Sequence, residues 1–321
     1  MFDLFGYLHQ TQGSVVEGLD QNFQAGIEAE LLICPKTSEG EIRNTRHKDR
    51  VEIHLDPADQ VRSLATSEKE DGNFQAKFVA KVPGTYKIEV KINGQKLARS
   101  PFSILVKAQE LNVIGKLDVQ GEMLQGPAGI SVNSKGVIAV ADREGHCILV
   151  FDEKGTFVRK IGSYGDEEGQ LKNPVDVTFV NDDEILVADE SDFNKFGDSG
   201  PERLDHPLSC VCYEEKFIVT EKNNNCVKVF DEKGQFLYKF GEKENGDGQM
   251  DQLYGLCVDK HNNVFLCDGR NNRVQQFTLE GTFTGKTSSN IQFGWPWSVT
   301  PMLDDRIVVT DYEKKEVYIL K

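Results

Sequence analysis

The sequence lacks paired cysteines and long apolar runs. Its seven cysteines include no Cys-x-x-Cys pair, which excludes structural zinc sites of the finger and RING kinds. Their odd number and scattered positions predict buried, reduced thiols in an intracellular protein. No stretch reaches the roughly 18 apolar residues that span a bilayer. Met1 to Leu8 lacks the basic start and cleavage site of a secretory signal. We therefore expect a cytoplasmic protein without a membrane partner.

Basic residues are scarce relative to acidic ones, with 37 Lys and Arg against 52 Asp and Glu. Residues 1–120 carry 15 basic and 17 acidic side chains, and residues 121–321 carry 22 and 35, so their net charges are −2 and −13. A strongly acidic region repels phosphate backbones unless its basic residues cluster on one face. This balance favours a protein partner with a basic patch, and we expect no DNA partner.

The last 200 residues repeat one unit five times. Each copy is a short Val- and Ile-rich run that ends in an acid, with a proline or leucine 14 or 15 residues upstream. The acids are Asp142, Asp189, Glu221, Asp268 and Asp311, and the upstream residues are Pro127, Pro174, Pro207, Leu253 and Pro296. The runs are separated by Asp, Asn and Gly turns, which predicts small antiparallel sheets. Acid-to-acid spacings of 47, 32, 47 and 43 residues are typical of the blades of a β-propeller.

The end of the repeat region predicts how the ring closes. The chain stops ten residues after Asp311, so the last copy lacks the outer strand that Phe157 to Ile161 supplies in the first copy. Leu111 to Ile114 has the spacing of that missing strand. We therefore expect a propeller over residues 108–321, with strand 111–114 closing its last blade.

The second copy is shorter than the others. Only eight residues separate Asp189 from Gly197, whereas twenty separate Asp142 from Gly162 in the first copy. This predicts a blade of about two strands with an edge that must be covered. The expected architecture is a propeller of about five blades, one of them truncated, or a degenerate form of a six-bladed type.

Residues 11–107 follow a different pattern. Apolar and charged residues alternate strictly from Thr85 to Ile92, which is typical of a strand with one buried face. Asn93-Gly94 then predicts a tight turn into Gln95 to Leu97, so the two strands should pair as a hairpin. About 100 residues of this kind indicate a β-sandwich, preceded by an N-terminal extension over residues 1–10. The whole chain is thus expected to be all-β.

Both regions resemble known repeats. The sandwich resembles the end of a filamin-type immunoglobulin repeat at Asp71 to Phe74, Pro83 to Tyr86 and Ser100 to Phe102. The propeller resembles NHL repeats at Pro127 to Val132, Val140 to Asp142 and Val150 to Gly155. This combination is similar to the C-terminal half of TRIM-NHL proteins, whose N-terminal half carries the RING, B-box and coiled coil that this sequence lacks. The resemblance implies a ubiquitin ligase or post-transcriptional regulator in which the propeller selects a protein or RNA target.

The five strand-ending acids suggest two roles. A ring of carboxylates around a channel would hold a hard cation through oxygen ligands; alternatively, each carboxylate accepts hydrogen bonds from the backbone of the following turn, and we expect this structural role. NHL-type lyases use histidine-bound metal, but His146, His206 and His261 show no catalytic or metal-binding spacing. We therefore expect no enzyme activity, catalytic residue, metal, cofactor or small-molecule substrate.

The loops after the five acids should share one rim, because each copy places its loop equivalently. Loops on a rigid scaffold carry recognition, so this rim is a candidate binding face; the alternative is an ordinary solvated rim. The chain's two tryptophans flank Pro296, where they either anchor a partner or pack between blades. The candidate binding residues are Arg143, Lys222, Asn223, Arg270, Asn271, Trp295, Trp297 and Tyr312.

These patterns predict a non-catalytic recognition module that binds a protein target. The alternative is RNA binding by the same face. RNA binding predicts that Arg143, Lys222 and Arg270 form one basic patch and that affinity falls steeply with salt. Scattered basic residues would favour protein.

Overall fold

The computed structural model describes residues 14–36, 49–119, 123–167, 169–179, 181–189, 204 and 206–321. The chain forms two compact units, Met1–Gln109 and Glu110–Lys321. The all-β prediction is confirmed, since within the described ranges the helical structure is one 3-10 turn at Ala58–Gln60. No described helix is long and apolar enough to cross a membrane.

The first unit is a sandwich of two sheets, in the orders β1-β3-β6-β5 and β2-β9-β7-β4, with β8 paired to β7. Alternate side chains of β6 and β7 are buried between the sheets, and Tyr86 donates a hydrogen bond from its buried hydroxyl to the Val82 carbonyl at 2.9 Å. The strands are β1 (Val15–Glu17), β2 (Phe23–Gln24), β3 (Glu28–Cys34), β4 (Val51–Asp56), β5 (Val61–Glu68), β6 (Phe74–Ala80), β7 (Gly84–Ile92), β8 (Gln95–Lys96) and β9 (Phe102–Lys107).

The predicted hairpin is confirmed. Ile92 pairs with Gln95 across the turn, and Asn93 and Gly94 have φ values of 53° and 79°. Two consecutive positive φ angles are the geometry of a type I′ turn, which suits the twist of the flanking strands.

The second unit contains five antiparallel sheets, which we number as blades one to five. In blades one, three and four the chain lays down four strands in succession, whereas the described part of blade two has two strands. The strands are β10 (Gln109–Leu111) and β11 (Val113–Lys116); blade one, β12 (Pro127–Val132), β13 (Ile138–Asp142), β14 (Cys147–Phe151) and β15 (Phe157–Ile161); blade two, β16 (Pro174–Phe179) and β17 (Ile185–Asp189); blade three, β18 (Pro207–Tyr213), β19 (Lys216–Glu221), β20 (Cys226–Asp231) and β21 (Phe236–Phe240); blade four, β22 (Leu253–Val258), β23 (Asn263–Asp268), β24 (Arg273–Thr278) and β25 (Phe283–Thr287); and blade five, β26 (Pro296–Pro301), β27 (Ile307–Asp311) and β28 (Glu316–Leu320).

Blade five takes its outer strand from the beginning of the unit. β11 pairs with β28, with Val113 opposite Leu320. This strand begins two residues later than the expected 111–114. Leu111 instead packs in the buried cluster shared by blades four and five, and its carbonyl accepts a hydrogen bond from the Ser288 amide at 2.9 Å.

The 14- or 15-residue spacing corresponds to a hairpin within each blade. The upstream proline or leucine pairs directly with the strand-ending acid in all five copies, for example Pro127 with Asp142 and Leu253 with Asp268. Each first strand also has a register irregularity immediately after that residue. Proline suits this position because it lacks an amide hydrogen for the ladder. Such irregularities change the direction of side chains. Here they affect the two residues that follow the upstream proline or leucine.

Hydrogen bonds join successive blades and close the ring. Thr310 of blade five donates from Oγ1 to the Ala128 carbonyl of blade one at 2.6 Å, and Thr220 makes the equivalent bond from blade three to the Tyr254 carbonyl of blade four at 2.8 Å. Blades two and three differ, because their first strands, β16 and β18, do not pack side by side as the other neighbours do. Leu186 and Leu208 on these blades remain 62% and 43% exposed. The sequence expected to complete blade two, around Gly197, lies outside the described residues.

Candidate functional site

The first strands of all five blades converge on one cavity of about 490 Å³. The two residues after each upstream proline or leucine supply most of its wall, as the register irregularities allow. The wall residues are Gly129, Arg143, Val175, Asp176, Ala188, His206, Pro207, Leu208, Ser209, Tyr254, Gly255, Trp297 and Ser298. The cavity therefore lies where the repeat brings equivalent positions together.

Aromatic rings form a continuous surface at this cavity. The Trp297 ring lies 4.6 Å from that of Tyr254 and 5.2 Å from that of Tyr312, between centroids. Trp295 lies 5.7 Å from Tyr254, and the Lys222 ammonium lies 5.1 Å from the centroid of the Tyr254 ring. We call these five residues the aromatic face.

Trp295 and Trp297 combine the two roles that the sequence left open. Both side chains are partly buried and pack against the cluster between blades four and five. Each also keeps part of its surface exposed. A rigid, partly exposed indole that is held by its neighbours is suited to anchoring a partner.

Arg143 and Tyr312 meet where blade five adjoins blade one. The Tyr312 hydroxyl donates a hydrogen bond to the Glu144 carboxylate, and the Arg143 side chain is also within hydrogen-bonding reach of this hydroxyl. Burial, followed by the bond to Glu144, raises the pKa of Tyr312. The predicted binding residues Arg143 and Tyr312 are thus neighbours, with an acid beside them.

Arg270 and Asn271 occupy a different environment on the rim. The Arg270 Nε lies 3.7 Å from the Asp251 carboxylate. The Asn271 amide donates to the Glu244 carbonyl at 3.0 Å and to the Asp268 carboxylate. Asn271 therefore holds its loop to the blade, which the sequence did not predict.

Asn223 is exposed on the same rim. Its amide lies 2.9 Å from the His206 ring nitrogen Nδ1. Because His206 lines the cavity, this contact places Asn223 at the cavity margin.

The strand-ending acids whose side chains are described lie inside their blades. Asp142 accepts hydrogen bonds from the Gln125 and Gly126 amides, and Asp311 accepts from Gly294 and Trp295. These amides belong to the loop that enters the blade, and the pairing of each acid with the upstream residue brings that loop to the carboxylate. Asp311 also accepts from the Lys314 amide of the following turn at 3.0 Å, which is the bond that the sequence suggested.

Two of these acids also have cationic partners, one buried and one partly buried. The Lys228 ammonium lies 3.1 Å from Glu221, and the two side chains are 7% and 0% exposed. The Arg273 Nε lies 2.9 Å from Asp268. Burial raises the pKa of Asp268, and bonds from Asp251, Asn271 and Arg273 oppose that rise. These contacts assign the acids to blade structure.

The three propeller histidines lie in separate places. His146 accepts a hydrogen bond from the Asn173 amide, His206 contacts Asn223, and His261 lies 3.0 Å from the Asp305 carboxylate. Within the described ranges, no group of three or more His, Cys, Asp or Glu side chains is arranged to hold a metal ion. The cavity and the aromatic face offer aromatic rings, a carboxylate and basic side chains for non-covalent contacts.

Sequence reasoning missed Tyr254 and Asp176. Tyr254 occupies in the fourth repeat the position that Trp297 occupies in the fifth, directly after the upstream residue. Asp176 lies one residue further along the second repeat, where the other copies have glycine or serine. An alignment of the five copies at the upstream residue would have revealed both.

Three family descriptions match the chain. Residues 10–103 match the Filamin/ABP280 repeat, residues 124–151 the NHL repeat, and residues 207–300 a 6-bladed beta-propeller family. The order of these matches is the order of the two units.

Curated relatives also match parts of the chain. Protein brain tumor of Drosophila melanogaster is 32% identical over 139 residues, which cover 40% of this chain and 13% of that protein. Protein lin-41 of Caenorhabditis elegans is 43% identical over 17% of this chain and 5% of that protein. E3 ubiquitin-protein ligase TRIM71 of Mus musculus is 25% identical over 45% of this chain and 18% of that protein.

The chain combines a filamin-repeat match with NHL-repeat and propeller matches, and the curated relatives that it resembles are TRIM-NHL proteins. The matches span less than a fifth of the length of these relatives. Within the TRIM-NHL family the propeller is an interaction or regulatory module. The aromatic face and the cavity are accordingly the part of this propeller to examine for a ligand.

Proposed function

We propose that this chain is a non-catalytic target-recognition module of the TRIM-NHL type, acting in the cytoplasm, and that its aromatic face binds a protein. The target would be a protein presented for ubiquitin transfer by a RING domain elsewhere in the polypeptide or in a partner. The name of the TRIM71 relative, E3 ubiquitin-protein ligase, supports this class of target.

The observation that carries the proposal is the packing of the aromatic face. Trp297 lies against Tyr254 and Tyr312, within 4.6 and 5.2 Å between ring centroids. Tryptophan and tyrosine are enriched at interface hot spots. Rings that are already packed lose little side-chain entropy on binding, which favours affinity.

The distribution of charge favours protein over RNA. Arg270 lies beside Asp251, and Glu144 lies in the same hydrogen-bonded group as Arg143 and Tyr312. Acids therefore interrupt the basic residues of the rim, within a region of net charge −13. Protein–RNA affinity depends strongly on cations placed against phosphates. Few basic residues of this rim lack a neighbouring acid.

RNA remains the second candidate because of one contact. The Lys222 ammonium lies over the ring of Tyr254, next to exposed aromatic surface on Trp297. A cation beside aromatic rings is the arrangement that binds single-stranded bases.

The experiment compares both ligands on the same variants. Immobilised chain is exposed to extract from cells that express it, with and without ribonuclease, and enriched proteins are quantified by mass spectrometry. In parallel, the purified chain is titrated against a randomised pool of labelled single-stranded and hairpin RNAs across salt. The variants are Trp297→Ala and Lys222→Glu.

A matched control distinguishes an effect at the aromatic face from a general effect of the change in net charge. Lys233→Glu makes the same charge change in an exposed turn between β20 and β21, at the opposite end of the strands from Lys222. We expect ribonuclease-resistant enrichment of a protein that both face variants lose and Lys233→Glu retains. Salt-sensitive RNA binding at micromolar or tighter affinity, lost with Lys222→Glu, would contradict the proposal.

A further inference from the structure

At one position of the cavity wall, the residue of one blade differs in type from the equivalent residues of the other four. Two residues after the upstream proline or leucine, four blades carry Gly129, Ser209, Gly255 or Ser298, whereas blade two carries Asp176. A side chain on Gly129 would collide with Asp176, since a Cβ there would lie 2.4 Å from the Asp176 Cα. Blade one therefore packs closely against the strand that carries this carboxylate.

Among the described residues, Asp176 lacks the cationic partner that Glu221 and Asp268 have, and it also lacks the entry-loop amides that bind the buried Asp142 and Asp311. Its Oδ1 accepts a hydrogen bond from the Val177 amide at 2.9 Å. Glu221 and Asp268 each have a lysine or arginine nitrogen within about 3 Å, but no such nitrogen lies within ion-pair distance of Asp176 in the described part of the chain. Asp176 is exposed to solvent and lines the cavity, whose walls reduce the hydration of its carboxylate.

The rest of the wall suits a long aliphatic side chain that ends in a cation. Val175 and Leu208 provide apolar surface, and Tyr254 and Trp297 provide aromatic rings. Cations are attracted to the faces of such rings, and the stems of lysine and arginine bury along apolar surface. Two other charged or titratable wall residues are Arg143 and His206; Arg143 is within hydrogen-bonding reach of Tyr312 and His206 contacts Asn223.

We propose that the cavity receives a lysine or arginine side chain of the protein target, with Asp176 as its counter-ion and Trp297 and Tyr254 as its walls. A basic side chain would also agree with the acidic charge of the second unit. This inference names the chemistry of the partner and rests on the proposed function.

The two tryptophans of the chain make the test direct. Both belong to the aromatic face and Trp297 lines the cavity, so intrinsic fluorescence reports on this site. The full chain is titrated with Nα-acetyl-lysine methylamide, Nα-acetyl-arginine methylamide and the neutral Nα-acetyl-norleucine methylamide. We expect saturable fluorescence changes with the two cations at millimolar concentration and none with the norleucine compound.

Asp176→Asn keeps the size of the side chain and an oxygen that accepts from Val177, so the fold should be retained. We expect this variant to bind the cations about tenfold more weakly or worse. Asp183→Asn is the matched control, because Asp183 is an exposed residue of the turn in the same blade and the charge change is identical. Equal binding of the norleucine compound, or unchanged cation binding by Asp176→Asn, would overturn the inference.

The outcomes separate this inference from the proposed function. If Asp176→Asn retains the captured protein and the model compounds show no preference for charge, the face binds protein without a basic side chain in the cavity. If the model compounds behave as expected but no protein is captured, the cavity assignment stands and the proposed target class fails.

Discussion

The ring of Trp297 in blade five packs 4.6 Å from the ring of Tyr254 in blade four. Both residues directly follow the upstream residue of their repeats, Pro296 and Leu253. The same repeated irregularity in the strand turns both side chains towards the cavity. The proposed recognition surface thus arises from how each blade begins, and its specificity would depend on which residues occupy that position.

Truncation of Trp297 should remove target binding without unfolding the propeller. We expect Trp297→Ala to weaken binding of the captured protein at least tenfold, as for a hot-spot tryptophan. Leu237→Ala is the control, since Leu237 is 45% exposed on the outer strand β21. Affinity is measured by biolayer interferometry, and circular dichroism checks the fold. Equal loss of affinity in both variants would argue against the aromatic face.

The hydrogen bond from Thr310 to Ala128 should stabilise ring closure. Thr310 is fully buried, and its Oγ1 also accepts from the Ser298 amide at 3.0 Å. Thr310→Val leaves both backbone groups unsatisfied, so we expect the free energy of unfolding to fall by about 2 kcal/mol. Urea denaturation measures the change. Thr66→Val, at an exposed position of the sandwich, should leave the propeller transition unchanged.

Removal of one member of the buried Lys228–Glu221 pair should be costly. Lys228→Met leaves the Glu221 carboxylate without this cation, and we expect a loss of about 3–5 kcal/mol in the free energy of unfolding. The double variant Lys228→Met with Glu221→Gln should recover a large part of that loss, because it no longer buries a charge. A double variant no more stable than the single one would show that the carboxylate charge is not the cause.

Asp176 should make stability depend on pH. Loss of hydration at the cavity wall, only partly offset by the bond from Val177, raises the pKa of Asp176 from 3.8 to about 6, although part of the residue remains exposed. A raised folded-state pKa means that the folded protein takes up this proton before the unfolded chain does. Ionisation of Asp176 therefore lowers stability as pH rises from about 4 through about 6, and the penalty is complete above that range.

Thermal unfolding of the Asp176→Asn variant checks this sign. We expect its Tm to exceed that of the parent at pH 7.5 and the difference to shrink towards zero near pH 4. Both proteins contain the other charged residues of the cavity wall, so the comparison isolates position 176. A Tm difference that is constant across this range would contradict the assignment.

The sequence predicted the fold well because each repeated pattern lies within a short stretch of the chain. The spacing between Pro127 and Asp142 is the length of one hairpin. The number of times this spacing recurs in the sequence predicted the number of blades. Asn93-Gly94 likewise specified its own turn. The closing strand was placed two residues early because Leu111 is fixed by packing against blades four and five, which no local pattern encodes.

The site was harder to predict than the fold. Trp297, Tyr312 and Lys222 were identified from residue type and rim position, and the structure groups them with Tyr254. The sequence analysis also placed Asn271 among the binding residues, although its side-chain amide donates a hydrogen bond to Asp268. Whether a rim side chain faces a ligand or its own blade depends on contacts between distant residues, and rim position alone does not contain that information.

The most direct test of the account is photo-crosslinking from the aromatic face in cells. Tyr312 is replaced by the photoreactive p-benzoylphenylalanine, and Lys233 is replaced in the same way as a control at the opposite end of the blades. After irradiation, we predict an adduct at position 312 that protease destroys and ribonuclease leaves intact, and that is absent at position 233. An adduct that ribonuclease removes would contradict protein recognition and identify RNA as the ligand of this propeller.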